Sequence, residues 1–162
     1  MEVRLFPESS LNLIISGILS LLGVILGILI ERRFHEREVR ERLFKALFEE
    51  VKLNHSVVKK TKETYKGPEW TIFELSPLYT LGYQNIRMSG ELAILSRDTL
   101  TLLEDTYEMI FAHNRQVAMI FNAPNGFMRD KGLKERIEKL EADLGQLKQN
   151  LKKELKFLKS MR

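Results

Sequence analysis

The sequence predicts an all-α protein whose N-terminal transmembrane helix continues into an antiparallel bundle of about four helices and ends in a long, coiled-coil-like helix. Three observations lead to this prediction. Residues 11–30 form an uninterrupted apolar run without a charge. Beyond it, apolar residues recur at steps of three and four, which marks one face of a helix. No stretch alternates between apolar and polar residues for long enough to indicate a strand.

The apolar run of residues 11–30 has the length of a membrane span. About 20 residues at a rise of 1.5 Å cross a hydrocarbon core of roughly 30 Å. Positive charge sets the orientation, because Lys and Arg close to a span stay on the cytoplasmic side. Only Arg4 precedes the run, opposed by Glu2 and Glu8, whereas six basic residues follow it closely: Arg32, Arg33, Arg37, Arg40, Arg42 and Lys45.

These charges predict a single-pass protein of the cell membrane. We expect residues 1–10 to form a short extracytoplasmic tail, residues 11–30 the transmembrane helix, and residues 31–162 a cytosolic helical bundle domain. A cleaved signal peptide is the main alternative, but it would have a basic start, a shorter apolar run and a small-residue cleavage site. Here Glu31-Arg32-Arg33 follows the run directly, which favours a permanent anchor.

Four small residues lie on one face of the predicted span. Ser16, Ser20, Gly23 and Gly27 are separated by steps of four, three and four, and such faces let helix backbones approach closely in lipid. They predict packing against a second copy or a partner span. Gly and Ser are also common in membrane helices generally, so both interpretations stay open.

The first helix of the bundle is predicted to continue from the span to about residue 65. Its stripe runs through Leu43, Leu47, Val51, Asn54 and Val58, and Lys66-Gly67-Pro68 ends it. A second helix is predicted over residues 77–95, with Ser76 as N-cap, Pro77 at the first helical position and a break near Ser89-Gly90.

Two further helices are predicted, one over residues 97–122 and one over residues 129–159. The turn-forming sequence of residues 122–126 separates them. The stripe of the last helix consists of Leu133, Ile137, Leu140, Leu144, Leu147, Leu151, Leu155 and Leu158. Short links favour an antiparallel bundle within the chain, while more than three heptads also permit a coiled coil between protomers.

Charge is distributed in three blocks. The net charge is +4 over residues 31–66, −4 over 67–127 and +5 over 128–162. We expect the basic ends to meet anionic lipid head groups, at about 1 kcal/mol for each basic residue close to the surface. The predicted membrane-surface residues are Arg32, Arg33, Arg37, Arg40, Lys152, Lys153, Lys156 and Lys159.

Binding to nucleic acid is disfavoured, because the C-terminal lysines are interleaved with Glu and have few aromatic neighbours.

Two Asn-His pairs interrupt the apolar pattern. Asn54-His55 and His113-Asn114 lie on different predicted helices, with each Asn at a stripe position. A buried Asn must be hydrogen-bonded, and it can fix the register of packed helices. We therefore predict a polar core layer of these four residues. A polar ligand or metal pocket that includes the two His is the alternative.

The composition excludes several kinds of chemistry. The chain has no Cys, so disulfides, thiol nucleophiles and Cys-based metal sites are ruled out. No Glu stands three residues before a His, as a di-iron bundle site would require. The sequence also lacks a Gly-rich phosphate loop, Gly-x-Ser-x-Gly and His-Glu-x-x-His. We predict no catalytic, cofactor or metal residue and therefore no enzyme.

An apolar cluster of Trp70, Ile72, Phe73 and Leu75 follows the first bundle helix. Trp is the residue type most enriched in binding hot spots, so these residues are the predicted binding site for an unknown cytosolic protein. The alternative is that they close the distal end of the bundle.

The residues Trp70, Tyr79, Ser89-Gly90-Glu91-Leu92, Leu95, Tyr107 and Asn114 form a diffuse pattern. It resembles a pattern in small, uncharacterised prokaryotic single-pass membrane proteins with a cytosolic helical domain, some of them suspected in phage defence. The resemblance implies an anchor, a basic juxtamembrane helix and a helical domain, and it offers no catalytic residue.

The expected function is that of a membrane-anchored interaction or scaffold protein. Its expected partners are the bilayer, a cytosolic protein and a second copy that binds through the span or the last helix. A signal-responsive sensor or defence effector component, and an enzyme with an unrecognised pocket, are the two alternatives.

Overall fold

The structure is a computed structural model that describes residues 8–64, 75–121 and 132–160. These residues form four α-helices: α1 Glu8–Thr64, α2 Leu81–Ser89, α3 Arg97–Phe121 and α4 Leu133–Ser160. A short 3₁₀ helix, Glu91–Ile94, stands between α2 and α3. None of the described residues lies in a strand, so the all-helical fold class is confirmed.

Helix α1 is one continuous helix of 57 residues. The predicted continuity between the apolar run and the first bundle helix is therefore confirmed. Near its N-terminus, α1 is long and apolar enough to cross a membrane, and none of its most apolar window is buried by the rest of the chain. In this it differs from the core helix of a soluble protein, which other helices cover.

The chain divides into two compact units, Met1–Arg40 and Glu41–Arg162. Residues 31–40 of α1 thus belong to the first unit, together with the apolar run. In the first unit, every side chain described over residues 12–39 is exposed.

The second unit contains an apolar core to which each long helix contributes one face. Most residues of the predicted α1 and α4 stripes lie in it, but Leu43, Leu155 and Leu158 are only partly buried. From α1 the core takes Phe44, Leu47, Val51 and Val58; from α3 it takes Leu103, Tyr107, Ile110 and Val117. Helix α4 buries Leu133, Ile137, Leu140, Leu144, Leu147 and Leu151 within the chain itself. Full burial of such side chains stabilises the fold by about 1.5–3 kcal/mol each.

Helix α2 begins later than its sequence predicts. Ser76 and Pro77 resemble an N-cap and a first helical residue, but residues 75–80 have no regular secondary structure and α2 starts at Leu81. The prediction was wrong because side chains from α1 and α3 bind the backbone of Leu78 and Tyr79, which prevents the helical hydrogen bonds there. Residues 75–80 are called the connecting segment below.

The predicted break near Ser89-Gly90 is confirmed. Gly90 ends α2 with a φ of 75°, in the left-handed region, and its N–H binds the carbonyl of Arg87. A residue with a Cβ would be strained in this conformation, so glycine is the favoured helix terminator here.

Two other helical glycines differ in the space around them. A Cβ built on Gly82 of α2 would lie 3.2 Å from Glu50 Oε2 and 3.3 Å from the Ala46 carbonyl oxygen, which is tighter than ordinary contact. A Cβ built on Gly145 of α4 would lie 3.4 Å from His55 Nε2, at an ordinary contact distance. Gly82 is therefore required by close packing, whereas Gly145 is not.

These two sites predict opposite effects of alanine. Gly145→Ala should raise the free energy of unfolding by about 0.5–1 kcal/mol, because alanine favours a helix interior over glycine. Gly82→Ala should lower the free energy of unfolding by about 1 kcal/mol or more, because the Ala46 backbone and the Glu50 carboxylate would have to move away from the added methyl group, at a cost in packing. Guanidinium unfolding of the full chain in detergent micelles, followed by circular dichroism, measures both values. A stabilising Gly82→Ala would contradict the close packing of α1 and α2.

Candidate functional site

The buried carboxylate of Glu50 holds the start of α2. Its Oε2 accepts a hydrogen bond from the Gly82 N–H at 2.5 Å, and its Oε1 accepts one from the Tyr83 N–H at 3.1 Å. These N–H groups belong to the first turn of α2, where they have no partner within the helix. The positive end of the helix dipole also favours a carboxylate at this place. Glu50 lies on α1, yet it binds the free N–H groups of α2 in the way that an N-cap side chain at the start of the helix usually does.

Tyr107 of α3 completes the surroundings of Glu50. Its hydroxyl donates a hydrogen bond to Glu50 Oε1 at 2.6 Å, and its ring stacks on Tyr83 with 4.2 Å between centroids. Burial, and secondly the hydrogen bond to Glu50, raise the pKa of Tyr107 far above its ordinary value. The phenol thus remains a proton donor to the carboxylate throughout the physiological pH range.

Two Asn side chains hold the connecting segment from opposite sides. Asn54 of α1 accepts from the Tyr79 N–H and donates to the Tyr79 carbonyl, both at 2.8 Å. Asn114 of α3 accepts from the Leu78 N–H at 2.7 Å and donates to the Leu78 carbonyl at 2.8 Å. Each amide satisfies both main-chain groups of one residue, and in doing so satisfies its own polar atoms, which are fully buried for Asn54 and half-buried for Asn114.

His113 of α3 makes the third attachment to the connecting segment. Its Nε2 lies 3.1 Å from the Ser76 carbonyl oxygen. Burial is the main cause that lowers the pKa of His113, the Ser76 hydrogen bond raises it in part, and the charge of Arg136 lowers it further. The neutral ring, with the proton on Nε2, is therefore the form that fits this position.

Together these four side chains form a polar clamp, defined here as Glu50, Asn54, His113 and Asn114. Every hydrogen bond that they make to residues 76–83 is to a main-chain atom. Because the clamp uses its polar atoms to hold the chain's own backbone, it positions α2 rather than offering an open reactive group. No three His, Cys, Asp or Glu residues among those described are close enough to hold a metal ion.

The predicted polar layer takes a different form in the structure. Asn54 and Asn114 do not bond to each other; they bind the adjacent residues Tyr79 and Leu78. His113 joins them through Ser76. His55 lies elsewhere, beside Gly145 of α4, in a groove of about 580 Å³ that Lys62, Glu141 and Gln146 also line. Burial, and then the charge of Lys148, lower the pKa of His55.

Sequence reasoning missed Glu50, although one signal was present. It lies three residues after Leu47 and four before Asn54, so it occupies the core-facing side of α1. Its neighbour Glu49 is exposed and forms a surface ion pair with Lys52. The spacing places Glu50 toward the core but does not reveal what it binds, because the groups that Glu50 binds are 32 to 57 residues further along the chain.

The other predicted site residues are distributed as follows. Trp70, Ile72 and Phe73 lie outside the described residues, and Leu75 is buried in the core. Ser16, Ser20, Gly23 and Gly27 are exposed, and no described side chain lies within 4 Å of a Cβ built on either glycine. Among the predicted membrane-surface residues, the exposed ones are Arg32, Arg33, Arg37, Lys152, Lys153, Lys156 and Lys159.

The chain was compared with models of protein families, with curated proteins and with solved structures, and none of the three comparisons found a match.

The clamp predicts a large difference between two adjacent glutamates. Glu50→Gln should lower the free energy of unfolding by about 2–3 kcal/mol. The amide has only one acceptor oxygen and no charge, and its NH₂ group would face a hydrogen-bond donor of Gly82, Tyr83 or Tyr107. Glu49→Gln is the matched control and should change it by less than about 0.5 kcal/mol, since exposed ion pairs contribute little. Guanidinium unfolding in detergent micelles compares them. Equal effects of the two substitutions would show that Glu50 does not hold α2.

Proposed function

We propose that this chain is a single-pass membrane protein whose N-terminus is outside the cell and whose helical domain serves in the cytoplasm as an interaction or scaffold module. One observation carries the proposal. The uncharged apolar run lies within a continuous helix, is exposed at every position whose side chain the structure describes, and is followed by Glu31-Arg32-Arg33. A helix of this kind is stable in lipid and costly in water.

An antiparallel bundle is the arrangement of the domain that the contacts support. Lys62 pairs with Glu141 at 2.6 Å, and His55, one to two turns earlier in α1, lies beside Gly145, one turn later in α4. Helices α1 and α4 therefore run in opposite directions along this contact. The Ser96 N–H, just before α3, bonds to Glu154 near the end of α4, and this contact supports opposite directions for α3 and α4 as well.

An interaction role suits a domain of this construction. The polar side chains of the clamp are hydrogen-bonded to the chain's own backbone, so they add rigidity rather than chemistry. The proposed contact point for a cytosolic protein is the segment that carries Trp70, Ile72 and Phe73. The exposed lysines near the end of α4 offer charge complementary to anionic lipid head groups.

Cysteine labelling tests the membrane placement, since the chain has no Cys of its own. We expect Ser160→Cys, at an exposed position of α4, to stay unlabelled by a membrane-impermeant maleimide in intact cells and to be labelled after lysis. Ser9→Cys, before the apolar run, is the matched control and should be labelled in intact cells. The chain should remain in the membrane pellet after alkaline carbonate washing.

Two results would overturn the placement. Labelling of Ser160→Cys in intact cells would put the domain outside. Release of the chain by carbonate would remove the membrane anchor altogether.

Photo-crosslinking in cells tests the interaction role. A photoreactive phenylalanine in place of Trp70 should give a discrete adduct with a protein, because large apolar residues of a contact site lie against the partner. The same amino acid in place of Met119, an exposed residue of α3, is the control and should give no such adduct. Identical adduct patterns at both positions, or none at either, would count against a contact site at Trp70.

A further inference from the structure

His113 is the attachment of the connecting segment that can change its charge near neutral pH. Its side chain is on α3 and only 8% exposed. Because a carbonyl oxygen can only accept, the hydrogen bond to Ser76 places a proton on Nε2. In the neutral ring, Nδ1 is then the unprotonated nitrogen.

A small cavity of about 50 Å³ lies beside His113, between α3 and α4. Apart from Arg136, the residues that line it from α4 are the apolar Leu133, Ile137 and Leu140. Among the described residues, the groups that face the ring are the Ser76 carbonyl on the connecting segment, the Arg136 guanidinium on α4, and apolar side chains of α3 and α4.

Protonation of His113 would place a second N–H and a positive charge in these surroundings. Charge in a buried, apolar position is costly without a partner of opposite sign, and Arg136 adds repulsion. The stronger hydrogen bond from a cationic ring to Ser76 offsets only part of this cost, because burial has the larger effect on the pKa. A charged ring is therefore more stable in water than in its place against the connecting segment.

We propose that His113 is an acid-sensitive latch, which keeps the connecting segment closed on α3 while its imidazole is neutral and releases the segment when the imidazole is protonated. Release requires only that the His113 ring and the connecting segment separate, which breaks the hydrogen bond between His113 Nε2 and the Ser76 carbonyl oxygen. Asn54 and Asn114 do not titrate, and their bonds set how far the opening extends toward α2.

The direction of the pH effect follows from the two states. In the open form the ring is in water and titrates near its ordinary pKa of 6.5, while in the closed form its pKa is lower. Between these two values the open form binds more protons. The latch is therefore fully effective above pH 6.5 and weakens as pH falls, with opening favoured by up to about tenfold per pH unit.

Hydrogen exchange of the full chain in detergent micelles tests the latch. Exchange is followed by mass spectrometry between pH 7.5 and 5.5, with correction for the intrinsic rate at each pH. We expect peptides that cover residues 75–83 to open severalfold more often at pH 5.5, while peptides from the middle of α4 keep their protection. His113→Gln retains an amide donor near the position of Nε2 and should remove this pH dependence.

Two further variants keep the test decisive if His113→Gln folds poorly. His55→Gln removes a different half-buried imidazole, which contacts α4, and should leave the acid-induced opening unchanged. Arg136→Gln removes the repelling charge and should move the opening to lower pH. The latch is disproved if residues 75–83 open in step with α4, if His113→Gln opens equally on acidification, or if Arg136→Gln has no effect.

Discussion

The burial of the Glu50 carboxylate is the constraint on which the arrangement of α2 depends. A charge removed from water is strongly destabilising unless hydrogen bonds replace its hydration. Glu50 receives three donors, two from the first turn of α2 and one from Tyr107. Without α2 in place, two of these donors are lost. The carboxylate and the helix start therefore require each other, and the close approach at Gly82 is a consequence.

The two Asn side chains extend this mutual dependence to the connecting segment. Apolar contacts alone leave helices free to shift along one another, because one leucine can replace the next. Asn54 binds both main-chain groups of Tyr79, and Asn114 binds both main-chain groups of Leu78. A shift of α1 by one turn would take the buried Asn54 amide away from these partners, at about 1–3 kcal/mol for each group left unsatisfied, and a shift of α3 would do the same to the half-buried Asn114 at a smaller cost. The register of the second unit is therefore fixed by polar bonds within an apolar core.

The sequence was sufficient to predict the helices and insufficient to predict the clamp. The stripes of α1, α3 and α4, the break at Gly90 and the continuity of α1 all follow from local periodicity and backbone preference. The start of α2 did not follow, because Ser76-Pro77 is a good local start signal that distant side chains override. The role of Glu50 did not follow either, because the groups that it binds lie on distant parts of the chain. The late start of α2 and the role of Glu50 both depend on hydrogen bonds between distant parts of the chain, and local sequence preference does not reveal these.

The clamp binds the connecting segment and the start of α2 through backbone atoms, and this leaves the exposed side chains there free to vary. The clamp bonds to main-chain atoms of residues 76–83, so the side chains of the connecting segment that point to solvent are not needed to hold it. Tyr79 is 57% exposed although Asn54 binds its backbone, and Leu81 is 68% exposed although Glu50 binds the N–H of the next residue, Gly82. Substitution of these side chains should therefore leave the domain folded, whereas substitution of the clamp should not. Exposed side chains that can be replaced without loss of the fold suit the interaction role proposed above, since the contacts of such a surface can vary.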